Sequence, residues 1–282
     1  MVMVGCHISI AGSIDRAVDR ARDAGCDTFQ IFSRNPRGWR ARDLDPDVVE
    51  AFRAAVRSSG LGPVFDHMPY LPNLASPDDA IYEKSVAALA DELRRCALLG
   101  IPYIVTHLGH HRGAGIEEGQ ERVIAAINRA FDETGDTGVT LLLENTAGEK
   151  NSVGTRIEDL ALIYDGLDDK GEFGICFDTC HAFGAGYDLR TAEGIDAVVA
   201  EIDERIGVDS LHLIHLNDSK GDLGSGLDRH EHIGLGSIGE DGFREILRNP
   251  QIRRLPLICE TPVDARRDDA GNIAKVRELA GY

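Results

Sequence analysis

Two side chains able to bind a divalent cation, Asp178 and His181, follow the apolar run Gly174-Ile175-Cys176-Phe177 within GICFDTCHAFGAGYD (174–188). Gly184 and Gly186 beyond them allow a tight turn into a loop, because glycine adopts backbone angles that other residues resist. An Asp-x-x-His pair alone is weak evidence and is more often a surface accident than a site. The pattern recurs along the chain, however. The third apolar run is followed by His67, the fourth by His107 and the fifth by Glu144. The seventh carries His215 near its end, the segment after it carries Asp228 and His230, and the eighth is followed by Glu260. Five histidines, two aspartates and two glutamates thus stand at strand ends or in the segments just after them. Singly, each has an ordinary explanation: a core histidine, an interior carboxylate paired with arginine, a solvated turn. Together they form a donor set without thiolate, and mixed imidazole and carboxylate suits zinc or manganese. Nine donors exceed one tetrahedral ion and would serve two or three if a carboxylate bridges.

The elements that must position these residues alternate. Strand-like runs cover 2–7, 28–32, 63–66, 103–106, 140–143, 174–177, 211–216 and 257–259. Amphipathic stretches cover 13–24, 46–59, 77–99, 116–133, 156–168, 192–206, 240–249 and 272–280, with apolar residues at helical spacing such as Val86, Leu89, Ala90 and Leu93. Gly25, Gly60 and Gly100 fall where helices should stop. Eight strand–helix units predict an α/β fold, a (β/α)8 TIM barrel forming one domain over residues 1–282. An open doubly wound sheet is the alternative, weakened by the lack of a G-x-G-x-x-G motif after the first strand. In a barrel the strand ends converge on one mouth, where active sites lie. The long connection 217–239, rich in Gly, Asp and His, is expected to be functional.

Composition sets outer limits. The 282 residues are 43% hydrophobic, and no stretch reaches membrane-spanning length. The N-terminus lacks a signal-peptide layout, so a soluble cytoplasmic protein is expected. Six cysteines without a C-x-x-C pair are expected to be reduced structural thiols. The net charge of -18 comes from 29 Asp and 19 Glu against 25 Arg and 5 Lys. That argues against a non-specific nucleic-acid binder. It also matches proteins adapted to concentrated salt, where self-repulsion is screened. Local placement of charge has to decide.

The 174–188 segment resembles one signature of the endonuclease IV family of apurinic/apyrimidinic endonucleases. His215-Leu216-Asn217-Asp218-Ser219-Lys220, with Gly224-Ser225, Asp228-Arg229-His230 and Ile233-Gly234 beyond it, resembles another. Gly5-Cys6-His7-Ile8-Ser9 with Ala11-Gly12 is similar to the family's opening strand. Leu143-Glu144-Asn145-Thr146-Ala147-Gly148 with Ser152-Val153-Gly154 is similar to its fifth-strand region. The likeness runs from the first strand to the last. It implies a barrel with three zinc ions, manganese being an alternative at one position. By motif, His67, His107 and Glu144 would hold the first. Glu144 would bridge to the second, completed by Asp178, His215 and Glu260, and His181, Asp228 and His230 would hold the third.

The implied reaction is hydrolysis of the phosphodiester 5′ to an abasic site in double-stranded DNA, leaving a 3′-hydroxyl. Metal lowers the pKa of bound water enough to give a nucleophile near neutral pH. Glu144 and Glu260 are both candidates for assisting it. The resemblance also implies that Arg37, Tyr70 and Leu71 enter the minor groove, where a wedge that unstacks bases opens the duplex. Ordinary loop packing is the rival explanation for Tyr70 and Leu71. Lys220 would reach a backbone phosphate or pair with Asp218. His110 and His111 stand where the family commonly carries proline and serine; they are expected to be exposed, with contact to phosphate as the alternative. A monomer is expected. The competing readings are a divalent-metal sugar isomerase or epimerase on the same barrel, and a non-catalytic scaffold with coordinatively closed sites.

Overall fold

The computed structural model of the chain describes residues 1–281. Seven strands follow in sequence: β1 Met3–His7, β2 Thr28–Ile31, β3 Val64–His67, β4 Tyr103–His107, β5 Thr140–Glu144, β6 Phe173–Asp178 and β7 Leu211–His215. The two-residue strands β8 Asp218–Ser219 and β9 His230–Glu231 pair antiparallel as a separate ribbon, and β10 Pro256–Cys259 completes the set. The seven strands and β10 close into a barrel, with β10 bonded to both β7 and β1. Gly5 makes the closure possible at one point. A Cβ there would lie 1.7 Å from the Thr28 carbonyl oxygen, so only glycine lets β1 approach β2.

Helices α1 Arg16–Asp23, α2 Pro46–Ser59, α3 Asp79–Leu99, α4 Ile116–Thr134, α5 Ile157–Asp165, α6 Thr179–Gly184, α7 Ala192–Arg205, α8 Gly239–Arg248, α9 Pro250–Arg253 and α10 Asp269–Leu279 follow in order. The longest, α3, shows how the sequence sets their limits. The Asp78 carboxylate accepts from the Ala80 and Ile81 N–H groups at its start, and Gly100 ends it at φ 71°. Its buried Val86, Leu89, Ala90 and Leu93 join the strand–helix core. No helix among the described residues is long and apolar enough to cross a membrane.

A second, smaller apolar cluster lies inside the barrel and is formed by Phe65, Val105, Leu142, Cys176, Leu213 and Ile258. Each comes from a different strand. Side chains alternate between faces along a strand. The residue two places on is therefore also inward, one layer nearer the C-terminal mouth. Those residues are His67, His107, Glu144, Asp178, His215 and Glu260. The architecture converts a recurring strand-end pattern into one ring of donors.

Three features depart from the sequence expectation. Residues 179–184, expected as a loop, form the short helix α6, and Gly184 is not in the left-handed region whereas Gly186 is, at φ 102°. Gly184 sits in a tight space: a Cβ there would lie 3.2 Å from that of Ala147, closer than ordinary contact. The final helix starts at Asp269 rather than at 272, because Asp268 caps it by accepting from Gly271 N–H. The 217–239 connection holds the β8–β9 ribbon, which fixes His230 relative to the barrel.

Candidate metal centre

All nine predicted donors meet at the C-terminal mouth, in overlapping sets whose ligand atoms lie within 4.8 Å of one another; Asp228 and His181 fall in the sets Cys180–Asp228–His230 and Asp178–His181–His230 rather than in one trio with His230. His67, His107 and Glu144 form one set. Both imidazoles point Nε2 at Glu144 Oε2, at 3.3 and 3.5 Å. Glu144, Asp178, His215 and Glu260 form a second. Here His215 Nδ1 stands 2.9 Å from Glu144 Oε1 and 3.3 Å from Glu260 Oε2. Glu144 thus offers one oxygen to each set, the disposition a bridging carboxylate needs. In the third region Asp228 Oδ1 lies 3.2 Å from His181 Nε2 and 3.4 Å from His230 Nε2. Asp178 adjoins it, with Oδ2 at 3.7 Å from His230 Nε2.

Outer contacts fix which ring nitrogen each histidine presents. The Nδ1 atoms of His67, His181 and His230 lie 2.7, 2.9 and 3.0 Å from the carbonyl oxygens of Met68, Asn145 and Glu260. Only a protonated Nδ1 can donate there, which leaves Nε2 free to bind a cation. His215 is reversed: its Nε2 donates to Gln30 Oε1 at 2.8 Å, so Nδ1 faces the cluster. The Gln30 amide also donates to Glu260 Oε1 at 2.6 Å and lies 3.0 Å from His7 Nδ1. Asn217 donates to Asp178 Oδ2 at 2.6 Å and accepts from Glu260 N–H. Asn145 holds the Asp178 backbone on both sides.

Gln30, Asn145, Asn217 and His7 were missed by sequence reasoning. A signal existed for two of them: His7 and Gln30 pair across β1 and β2 and occupy the same layer as the other strand-end donors. Glutamine is not a usual metal ligand, and His7 closes a strand whose residues otherwise read as core.

The electrostatics call for cations. No lysine or arginine pairs with Glu144, Asp178, Asp228 or Glu260 within 4 Å among the described residues. Burial alone would raise Glu144, yet His107, His215 and His67 hold it well below the usual carboxylate range. Glu260 is likewise held down against burial, by His215, His7 and His67. Against its burial, His215 is pushed up by Cys176 and the nearby carboxylates, whereas burial pushes His107 and His7 down. Burial opposes the charged form of His181, but Asp178, Asp228 and Glu144 push it up to about 10. The buried Nε2 of His230 has no hydrogen-bond partner at all. A metal ion at these positions would replace the protons and satisfy that nitrogen, so the donors fit divalent cations.

Of the residues expected to touch DNA, Tyr70 borders this centre. Tyr70 and Leu71 are exposed at 62% and 39%, and Tyr70 packs edge-on against Phe32 at 5.1 Å. Arg37 is exposed, and no ion pair ties it to an acid among the described residues. A cleft of about 380 Å³ lies among them, lined by His67, Tyr70, His107, Asp228, His230 and Glu260. One expectation for Lys220 fails. Asp218 does not pair with it, being buried and accepting from the N–H groups of Ser219, Gly236, Ile238 and Gly239. His110 is half-exposed and lies 3.7 Å from Glu149, while His111 accepts from Gly115 N–H and so caps a turn.

Comparison with known proteins agrees with this geometry. Residues 18–280 match the family described as xylose isomerase-like TIM barrel. A Methanoculleus marisnigri protein named "Probable endonuclease 4" is 77% identical over 281 residues, covering 100% of both chains. The solved structure of endonuclease IV from Thermus thermophilus superposes with a TM-score of 0.87 at 40% identity, covering 98% of each chain. A D-tagatose 3-epimerase-like protein matches at a TM-score of 0.73 and 20% identity, covering 99% of this chain and 95% of that one, which shows the shared fold alone. Full-length identity on one side and mere fold likeness on the other separate the two enzyme readings: the chain belongs to the endonuclease IV family of apurinic/apyrimidinic endonucleases.

Proposed function

We propose that this centre hydrolyses the phosphodiester 5′ to an abasic site in duplex DNA, leaving a 3′-hydroxyl, with three zinc ions held by its nine donors. The observation that carries the reading is the subdivision of those donors into adjoining sets, the first two joined by Glu144 and the rest by Asp178 and His230. His67, His107 and Glu144 would hold one ion, and Glu144, Asp178, His215 and Glu260 a second. His181, Asp228 and His230 would hold a third, and the mixed donors without thiolate favour zinc. When bound, the ions supply Lewis acidity that lowers the pKa of water and neutralises charge developing on the phosphate.

The protein's own groups divide the remaining work. Of the two candidate glutamates, Glu260 is the better proton acceptor for the attacking water. Its side chain is 18% exposed and lines the cleft, whereas Glu144 has none of its side chain exposed. Gln30 and Asn217 hold Glu260 in place from opposite sides. Arg37, Tyr70 and Leu71 enter the minor groove beside the lesion, and Lys220, with no carboxylate within 4 Å among the described residues, meets the backbone phosphate. An abasic site lowers the cost of opening the duplex because one base is already missing from the stack.

The test is a labelled duplex bearing one abasic site, incubated with metal-loaded protein. A single incision 5′ to the lesion, with an end that a polymerase extends, is expected. An incision on the 3′ side, or none, would remove the reading.

A further inference from the structure

The segment that presents Arg37 follows β2. A cleft of about 620 Å³, lined partly by Ile10, Ser13, Arg40 and Leu44, opens beside it. What holds the segment is a buried ionic cluster on α3. Glu92 has no exposed surface, and Ser33, Arg34 and Arg95 are also buried. The Ser33 hydroxyl donates to Glu92 Oε2 and accepts from Arg95 Nε at 2.8 Å. Glu92 Oε1 meets Arg34 Nε, and Arg95 donates to the Ser33 carbonyl at 2.7 Å. Those contacts fix the start of the segment. Its far side is tied by the same two arginines, Arg34 donating to the Trp39 carbonyl at 3.3 Å and Arg95 to that of Arg42 at 2.9 Å. Arg37 lies between the tied points. The Pro36 carbonyl accepts from Tyr70 N–H at 3.1 Å, joining the second expected groove contact to the same unit.

We propose that Glu92 and Arg95 are positioning residues for lesion recognition, clamping residues 33–42 at both ends so that Arg37 and Tyr70 stand ready at the duplex. This rests on the reading of Arg37 as a groove contact. A buried ion pair is weak support for stability, since apolar groups of the same volume often serve as well. What the cluster supplies is geometry: the carboxylates of Glu92 and Asp91 and two guanidinium forks set the chain direction where the segment leaves β2 and where it turns back. A pre-set loop avoids the ordering cost that binding would otherwise carry.

The test uses Ser33→Ala and Glu92→Gln, each alone and with Arg37→Ala. Dissociation constants for abasic and intact duplex, the single-turnover rate at saturating protein, and Tm are measured for each. Ser33→Ala keeps every charge paired and remains usable if Glu92→Gln does not fold. The clamp variants should bind abasic duplex roughly tenfold more weakly and lose part of the preference over intact duplex. The single-turnover rate should move much less. In the Arg37→Ala background they should add less than about twofold, because they act through Arg37. A merely structural role would lower Tm without shifting the ratio of the two dissociation constants. Wild-type binding by Ser33→Ala while Arg37→Ala binds weakly would overturn the clamp. So would effects that multiply independently in the double variants. If Arg37→Ala itself binds like the unaltered protein, the groove-contact reading falls and the clamp with it, a pattern distinct from the others.

Discussion

Gln30 is the sharpest place to perturb the centre without touching a ligand. It is fully buried, accepts from His215 Nε2 at 2.8 Å and donates to Glu260 Oε1 at 2.6 Å. Gln30→Met keeps the volume and removes the polarity. Glu260 is partly exposed, so water can replace its lost donor. His215 is completely buried, so its Nε2–H is left without an acceptor. An orphaned buried donor costs about 1–3 kcal/mol. The ring can relieve this only by turning over or by moving its proton to Nδ1, and either removes the nitrogen that faces Glu144. Metal affinity at the second set should therefore fall by about 10–100-fold, the usual effect of losing an outer partner. That range is about 1.4–2.7 kcal/mol, consistent with one orphaned donor. Competition between the protein and a chelator of known zinc affinity measures it, with circular dichroism as the check on folding. A folded variant with unchanged affinity and cleavage rate would refute the idea that Gln30 sets the His215 tautomer.

Further outcomes follow from the same geometry. Glu260→Gln should keep the fold but slow cleavage on the order of 10²–10³-fold, measured in single turnover; an unchanged rate would take Glu260 out of the chemistry. Arg37→Ala and Tyr70→Ala should each raise the dissociation constant for abasic duplex roughly tenfold while the bound-state rate changes less; equal binding would make both loops packing elements. His181, pushed up to about 10 in the metal-free protein, must lose its Nε2 proton to bind a cation. Loading at pH 8 should therefore release protons, seen by calorimetry in buffers of different ionisation heat, and affinity should rise with pH until about 10. The sign for stability follows: His181 stabilises the metal-free fold below 6.5, and that contribution fades as pH rises through about 10.

The barrel was legible in the sequence because each strand–helix unit repeats the same grammar, and because glycines such as Gly60 and Gly100 mark helix ends in the left-handed conformation. The gathering of the nine residues at one mouth was legible because strand ends in such a barrel must converge. What was hidden needed three dimensions. Gln30 reads as an ordinary polar residue in a strand, and only closure of the barrel places it between His215 and Glu260. The α6 helix escaped notice because six residues carry too little periodicity, and its start is set by Asp178 accepting from His181 N–H. Asp218 looked like a partner for Lys220 in a linear motif, but the turn at 236–239 points its N–H groups inward and claims both carboxylate oxygens. The Glu92–Arg95 cluster lies about sixty residues from the segment it holds, beyond the reach of any local pattern.

The central claim is that the nine donors assemble three cation sites in one barrel mouth. Elemental analysis of protein purified without chelator, set against a quantitative amino-acid count, tests it most directly. The account predicts close to three ions per chain, chiefly zinc, falling by one when Asp228 and His230 are both replaced by alanine. A reproducible value near one ion per chain, unchanged by that replacement, would contradict it.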